Sequence, residues 1–123
     1  PYIVPLHYGY QMENCKLTFY AHCAKEGHKL DCLKKNPNVF VQIDRGESLI
    51  EADVPCAYGA EYECVMCRGK AVLIEDGAEK AQALSNLMRT QTGEEHPANE
   101  KMAQSAAVIK VEVESYTAKA CVR

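Results

Sequence analysis

The sequence predicts a mostly β protein of the α+β class, an antiparallel barrel with two inserted helices. Three observations lead there. Five segments either alternate apolar with polar residues or are rich in Val, Ile, Cys and Tyr, which is the signature of strands. Most of these segments follow one another through turns short enough for hairpins. Only two segments carry helical spacing, so too few strands are followed by helices for a parallel βαβ layout.

Tyr2 to Tyr10 is the first expected strand, with Tyr2, Val4, Leu6, Tyr8 and Tyr10 on one side and Ile3 and His7 on the other. Pro5 lacks a ladder donor, which makes this an edge or bulged segment. Met12 to Cys15, polar at Glu13 and Asn14, supplies the turn, and Lys16 to Ala21 returns as the second strand. Lys25 to Lys35 changes period: Leu30 and Leu33, with Cys32 beside them, form a short amphipathic helical face that Asn36-Pro37 ends. Val39 to Asp44 is the third strand, and Arg45 to Ala60 a polar connection. The fourth strand runs from about Glu61 to Glu75, with Gly69 marking a bulge or bend. Beyond Asp76-Gly77, Ala78 to Arg89 is the clearest helix, with Ala81, Leu84, Leu87 and Met88 at helical spacing. Thr90 to Met102 is polar and reads as a loop, and Ala106 to Tyr116 alternates Val and Ile with Lys and Glu as the last strand.

The 123 residues suit one domain, residues 1–123, and the 47% apolar and 25% charged shares are those of a folded soluble protein. No apolar run approaches the about 20 residues that span a bilayer, so no membrane partner is expected. No signal peptide is visible, and Pro1 reads as a trimmed rather than a natural N-terminus. A formal net charge of -3, with the lysines not gathered into a stripe, argues against nucleic-acid binding. Seven cysteines cannot close a disulfide set within one chain, which points to a reducing, cytoplasmic setting. Cys64 and Cys67 stand three apart in a segment that reads as a strand. They therefore face opposite ways and cannot share a zinc ion, so no metal is expected.

The start of the short helix breaks a local rule. A helix N-terminus carries partial positive charge and unpaired amides, yet Lys25, Gly27, His28 and Lys29 gather there. Each fully charged cation in that turn costs about 0.3–1 kcal/mol, which Glu26 offsets in part. One reading is an anion held by amides and Lys29, with Gly27 letting the backbone approach a phosphate closely. The other is two solvated lysines beside an ordinary turn, and from the pattern alone both stay open.

The segment Tyr2-Ile3-Val4-Pro5-Leu6-His7-Tyr8-Gly9-Tyr10, followed by Leu17-Thr18-Phe19-Tyr20-Ala21-His22-Cys23-Ala24-Lys25-Glu26-Gly27-His28-Lys29-Leu30-Asp31, resembles the pyridoxamine-phosphate-oxidase-like flavoproteins. The resemblance is closest to their branch related to nitroimidazole-resistance reductases. It includes Asn36-Pro37, Gly69-Lys70-Ala71 and Thr117-Ala118-Lys119, and runs over essentially the whole chain. It implies an FMN-binding split barrel and a homodimer with FMN in clefts at the interface. Carried over by position, Val4, Pro5 and Leu6 would line the isoalloxazine and ribityl chain. Tyr20 and His22 would lie on the cofactor side of the second strand, and His28 and Lys29 would hold the phosphate. Cys64 stands where relatives often have Ser or Gln, and its thiol is a weak donor to a flavin.

Two features of the family are not in this sequence: a helix and first barrel strand ahead of Pro1, and a long C-terminal segment with substrate-binding arginines. The second departure leaves pyridoxine chemistry without support. His22 is the catalytic candidate, positioning substrate or donating a proton, and the competing reading is a histidine that only hydrogen-bonds the cofactor or a neighbouring backbone. His7 and His96 read as ordinary surface or barrel-end residues. Three functions follow: an FMN-dependent oxidoreductase reducing a small flat acceptor such as a nitro-aromatic or a quinone, with NAD(P)H as a candidate donor; a flavin- or haem-binding module without turnover; or an interaction protein that has lost the cofactor.

Overall fold

Alternation along a strand puts one row of apolar side chains on each face, and these rows decide how the elements assemble. The computed structural model describes residues 1–122. The strands are β1 (Gly9–Glu13), β2 (Lys16–Cys23), β3 (Asn38–Ile50), β4 (Gly59–Leu73) and β5 (Ala107–Cys121). All pair antiparallel in one sheet of order β1-β2-β5-β4-β3. Helix α1 (His28–Lys35) joins β2 to β3, and α2 (Gly77–Thr92) and α3 (Glu100–Ala103) join β4 to β5.

One face of the sheet holds Phe19, Cys67, Ala71, Ile109 and Val111, which α1 covers with Leu30 and Leu33. Val39, Val41 and Ile43 of β3 extend the same row. On the other face Val108 and Tyr20 meet Ile74 and, from α2, Ala83 and Leu84. Each fully buried side chain of this size contributes about 1.5–3 kcal/mol, so both helices are held by packing. Asp76 caps α2 by accepting from the Glu79 amide at 2.9 Å, and Gly93, at φ 76, ends it.

Helix α2 also deals with the outer edge of β1. An edge strand presents unpaired amides and carbonyls. Thr90 Oγ1 accepts from the Tyr10 amide at 3.3 Å, Asn86 Nδ2 donates to the Tyr10 carbonyl at 2.9 Å, and Gln91 Nε2 donates to the Tyr8 carbonyl at 2.7 Å. Polar side chains of a helix thus stand in for a neighbouring strand. The approach is close enough that a Cβ on Gly9 would lie 2.6 Å from Leu87 Cα.

Several expected boundaries move. Residues 2–8 are not in the sheet; the first strand begins at Gly9, beyond Pro5 and its missing donor. The hairpin turn narrows to Asn14 and Cys15, both at positive φ (51 and 62). The short helix starts at His28, not Lys25, and α3 lies in the stretch expected to be a loop, giving three helices in place of two. Much of the expected connection from Arg45 to Ala60 is sheet: β3 passes a register shift between Arg45 and Ser48 and runs on to Ile50. Its cross-strand contacts there are polar and exposed, Arg45 to Glu63 at 2.6 Å and Ser48 to Glu61 at 3.0 Å, so no apolar alternation announces them. β5 likewise continues to Cys121. The bulge expected at Gly69 is present as a register shift between Arg68 and Gly69.

Two outcomes are expected. Gly9→Ala destabilises the fold by about 1–3 kcal/mol, because Leu87 backbone cannot yield to the added methyl; a urea midpoint equal to that of the parent contradicts the α2–β1 contact. Burial pushes the Cys67 thiol up from its ordinary value. The folded protein keeps this proton where the unfolded chain, with a thiol pKa of about 8.5, releases it, so this stabilisation is full below that pH and declines above it. Cys67→Ala should therefore flatten the loss of stability between about pH 8 and 10, measured by urea unfolding across that range.

Candidate functional site

The corner between β2 and α1 is built from four connecting residues, Ala24 to Gly27. Gly27 takes φ 148 and ψ 172, a backbone region essentially limited to glycine. Nothing lies within 4 Å of the position its Cβ would occupy, so the dihedral, and not crowding by the chain, calls for glycine. No side chain caps the helix, and its first internal bond runs from the Asp31 amide to the Gly27 carbonyl at 3.1 Å. The amides of His28, Lys29 and Leu30 therefore have no acceptor among the described residues.

His28 and Lys29 occupy the first turn with Asp31 as its only acid, whereas Lys34 and Lys35 sit in the last turn, where cations suit the helix dipole. Lys25 and Glu26 precede the helix and drop out of the first-turn balance drawn from the sequence. Lys29 is half-buried and has no ion-pair partner among the described residues. Unpaired amides, a positive helix end and an unpaired ammonium are what an oxyanion requires.

Of the other candidate residues, some lie beside this corner and others face away from it. The Tyr2 ring meets the His28 ring edge-on at 4.7 Å, and Tyr8 meets Phe19 at 5.9 Å. The segment bearing Val4, Pro5 and Leu6 is thus pinned at one end to the start of α1 and at the other to the core. His22 is exposed near the end of β2, opposite Val108 and on the sheet face away from α1, with no hydrogen-bond partner among the described residues. Tyr20 shares the face of His22, but its hydroxyl donates to Gln11 Oε1 at 3.2 Å and it lines a separate cleft of about 500 Å³ between the β1–β2 hairpin and α2.

Cys64 stands apart. It pairs with Asp44 and Lys119 in the middle of the sheet. The level of His22 is marked by the bond from the Ile74 amide to the Val108 carbonyl. Cys64 lies ten residues before Ile74, roughly 30 Å along an extended chain. Cys64 therefore lies well along β4 from the level of His22. Cys67, three residues on, faces the core from the opposite side of β4. Two residues near the start of α1 were not among the candidate site residues read from the sequence: Tyr2 and Cys32, whose Sγ lies 3.4 Å from His28 Nε2. The His28–Cys32 spacing of four was visible, but becomes informative only once the helix is known to begin at His28.

An open antiparallel sheet with helices on opposite faces, and an anion-ready helix start beside a strand end, defines the split-barrel class. Residues 1–120 match the family described as pyridoxamine 5'-phosphate oxidase, and the chain belongs to that family. A candidate 5-nitroimidazole antibiotic resistance protein from Bacteroides thetaiotaomicron VPI-5482 is 35% identical, with a TM-score of 0.79 over 96% of this chain and 68% of that one. The flavocytochrome Anf3 of Azotobacter vinelandii (20% identical, TM-score 0.70, 97% of this chain and 63% of that one) shares the fold. So does an FAD- and haem-binding protein of Mycobacterium smegmatis (10%, 0.67, 96% and 67%). The chain thus spans about two thirds of the length of these proteins. No curated protein sequence matches it. No helix among the described residues is long and apolar enough to cross a membrane.

Gly27→Ala should cost about 1–3 kcal/mol, since alanine is strained at this φ and ψ even though space is open around it. Thermal unfolding of the variant checks this, and an unchanged midpoint contradicts the placement of the helix start.

Proposed function

We propose that this protein binds FMN with its phosphate at the start of α1 and acts, as a homodimer, as an FMN-dependent oxidoreductase for a small flat acceptor such as a nitro-aromatic. The observation that carries the reading is the uncapped helix start, where three amides and Lys29 are placed to receive an anion. The residues present fit such a group. The amides of His28, Lys29 and Leu30 and the Lys29 ammonium would hold the phosphate, and Gly27 leaves their approach open. The backbone of Val4, Pro5 and Leu6 would run beside the rest of the cofactor. The bound flavin would supply the electron transfer.

His22 supplies the remaining chemistry. Its ring is exposed and unengaged by the chain, so it is free to orient an acceptor and pass it a proton. A two-subunit arrangement would let Cys64, well along β4 from the level of His22, meet the cofactor across the interface. Exposed apolar side chains on the sheet, Phe40 and Leu49 among them, are suited to being covered by a second copy. All seven cysteines are free thiols, which suits a cytoplasmic protein. NAD(P)H is the proposed electron donor.

The test is spectroscopic. Protein supplied with FMN should turn yellow, bleach with NAD(P)H and recover colour when a nitro-aromatic is added. His22→Ala should then lower turnover by about 100-fold, at the low end of general-acid effects, while leaving flavin affinity nearly unchanged. Yellow protein that never turns over would favour a binding module, a Soret band would favour haem, and colourless protein that ignores FMN would contradict the proposal.

A further inference from the structure

We infer that Cys32 and His28 form a thiol–disulfide exchange site, with Cys32 as nucleophile and His28 as the proton acceptor beside it. Cys32 Sγ lies 3.4 Å from His28 Nε2, one helical turn away on α1. The imidazole is in turn fixed by the Tyr2 ring packed edge-on at 4.7 Å. A nucleophile within hydrogen-bond reach of a base, with the base held by a third group, is the arrangement that activates a side chain for attack. Among the described residues no other cysteine has a histidine at hydrogen-bonding distance. Cys15, Cys56 and Cys121 are more exposed but lack a base, and Cys67 is buried.

The reaction balances with a small organic disulfide as the co-reactant. Cys32 Sγ attacks one sulfur of the disulfide, its proton passes to His28 Nε2, a new S–S bond forms and the old one breaks. The leaving thiolate carries away the electron pair and takes its proton from the imidazolium or from solvent. No net oxidant is consumed beyond the disulfide itself, and the product is a mixed disulfide on Cys32.

Modification should reach the neighbouring anion site, a consequence that rests on the phosphate reading above. A group attached to Cys32 displaces the His28 ring from its partner and fills space one turn from the unpaired amides. Disulfide stress would then lower cofactor loading, and bound cofactor would shield the thiol.

The experiment treats the folded protein with less than one equivalent of 5,5'-dithiobis(2-nitrobenzoate) and maps the label by peptide mass. Cys32 is expected to carry most of it, with Cys56 as the internal reference. His28→Gln should slow labelling of Cys32 by about tenfold or more and leave Cys56 unchanged, a loss that disruption of the whole fold would not confine to one thiol. Label spread evenly over Cys15, Cys56 and Cys121, measured on the parent chain without any variant, overturns the inference, as does an unchanged Cys32 rate in His28→Gln. Added FMN should slow Cys32 labelling. Fast, His28-dependent labelling that FMN leaves untouched supports the thiol chemistry and overturns the phosphate placement.

Discussion

Amide hydrogens need acceptors, and at the start of α1 the described residues supply none. Gly27 brings the backbone in at a φ other residues avoid, no Ser, Thr, Asp or Asn caps the turn, and His28 and Lys29 add positive charge where the helix is already positive. An eight-residue helix cannot hold this arrangement by itself, since isolated helices so short are unstable in water. Leu30 and Leu33, set into the core against Phe19 and Ile109, hold it instead. Packing energy on one side of α1 therefore maintains an unfavourable electrostatic arrangement on the other. That combination is expected where a ligand completes the structure.

The second helix does a different task with different chemistry. α2 faces the opposite side of the sheet and meets β1 through Asn86, Thr90 and Gln91, whose side chains take over the hydrogen bonds of a missing neighbour strand. Asn86 spends its amide nitrogen on the Tyr10 carbonyl, while its buried Oδ1 has no partner and lies against Gly9. Fixing β1 in this way also fixes the chain that leads into it. Tyr8 on Phe19 and Tyr2 on His28 then bring residues 2–8 back toward the start of α1. The fold thus connects α2, through β1 and an irregular N-terminal segment, to the start of α1.

Most rows that bury a face were legible in the sequence, the turn of α3 that buries Ala103 excepted. The alternation in Lys16 to Ala21, Val39 to Asp44 and Ala106 to Tyr116, and the helical spacing of Ala81, Leu84 and Leu87, each correspond to rows that enter the core. The glycine at 69 announced its bulge. Elements held by polar or solvent-facing contacts were illegible: the outer half of β3, tied by Arg45–Glu63 and Ser48–Glu61, carries no apolar period. Residues 2–8 failed for the opposite reason, since alternating tyrosines and aliphatics imitate a strand although ring contacts hold them outside the sheet. At the site, the crowd of cations was visible in the sequence, but the place of Cys64, well along β4 from the level of His22, was not, because position in a motif carries no distance.

The central claim is that the start of α1 grips a phosphate, and a comparison of FMN with riboflavin isolates that group. Binding of both should be measured to the parent chain and to Lys29→Ala. The account predicts that the parent prefers FMN by tenfold or more, about 1.4 kcal/mol, and that Lys29→Ala erases most of that preference while scarcely changing riboflavin affinity. Equal affinity for FMN and riboflavin in the parent chain would contradict it.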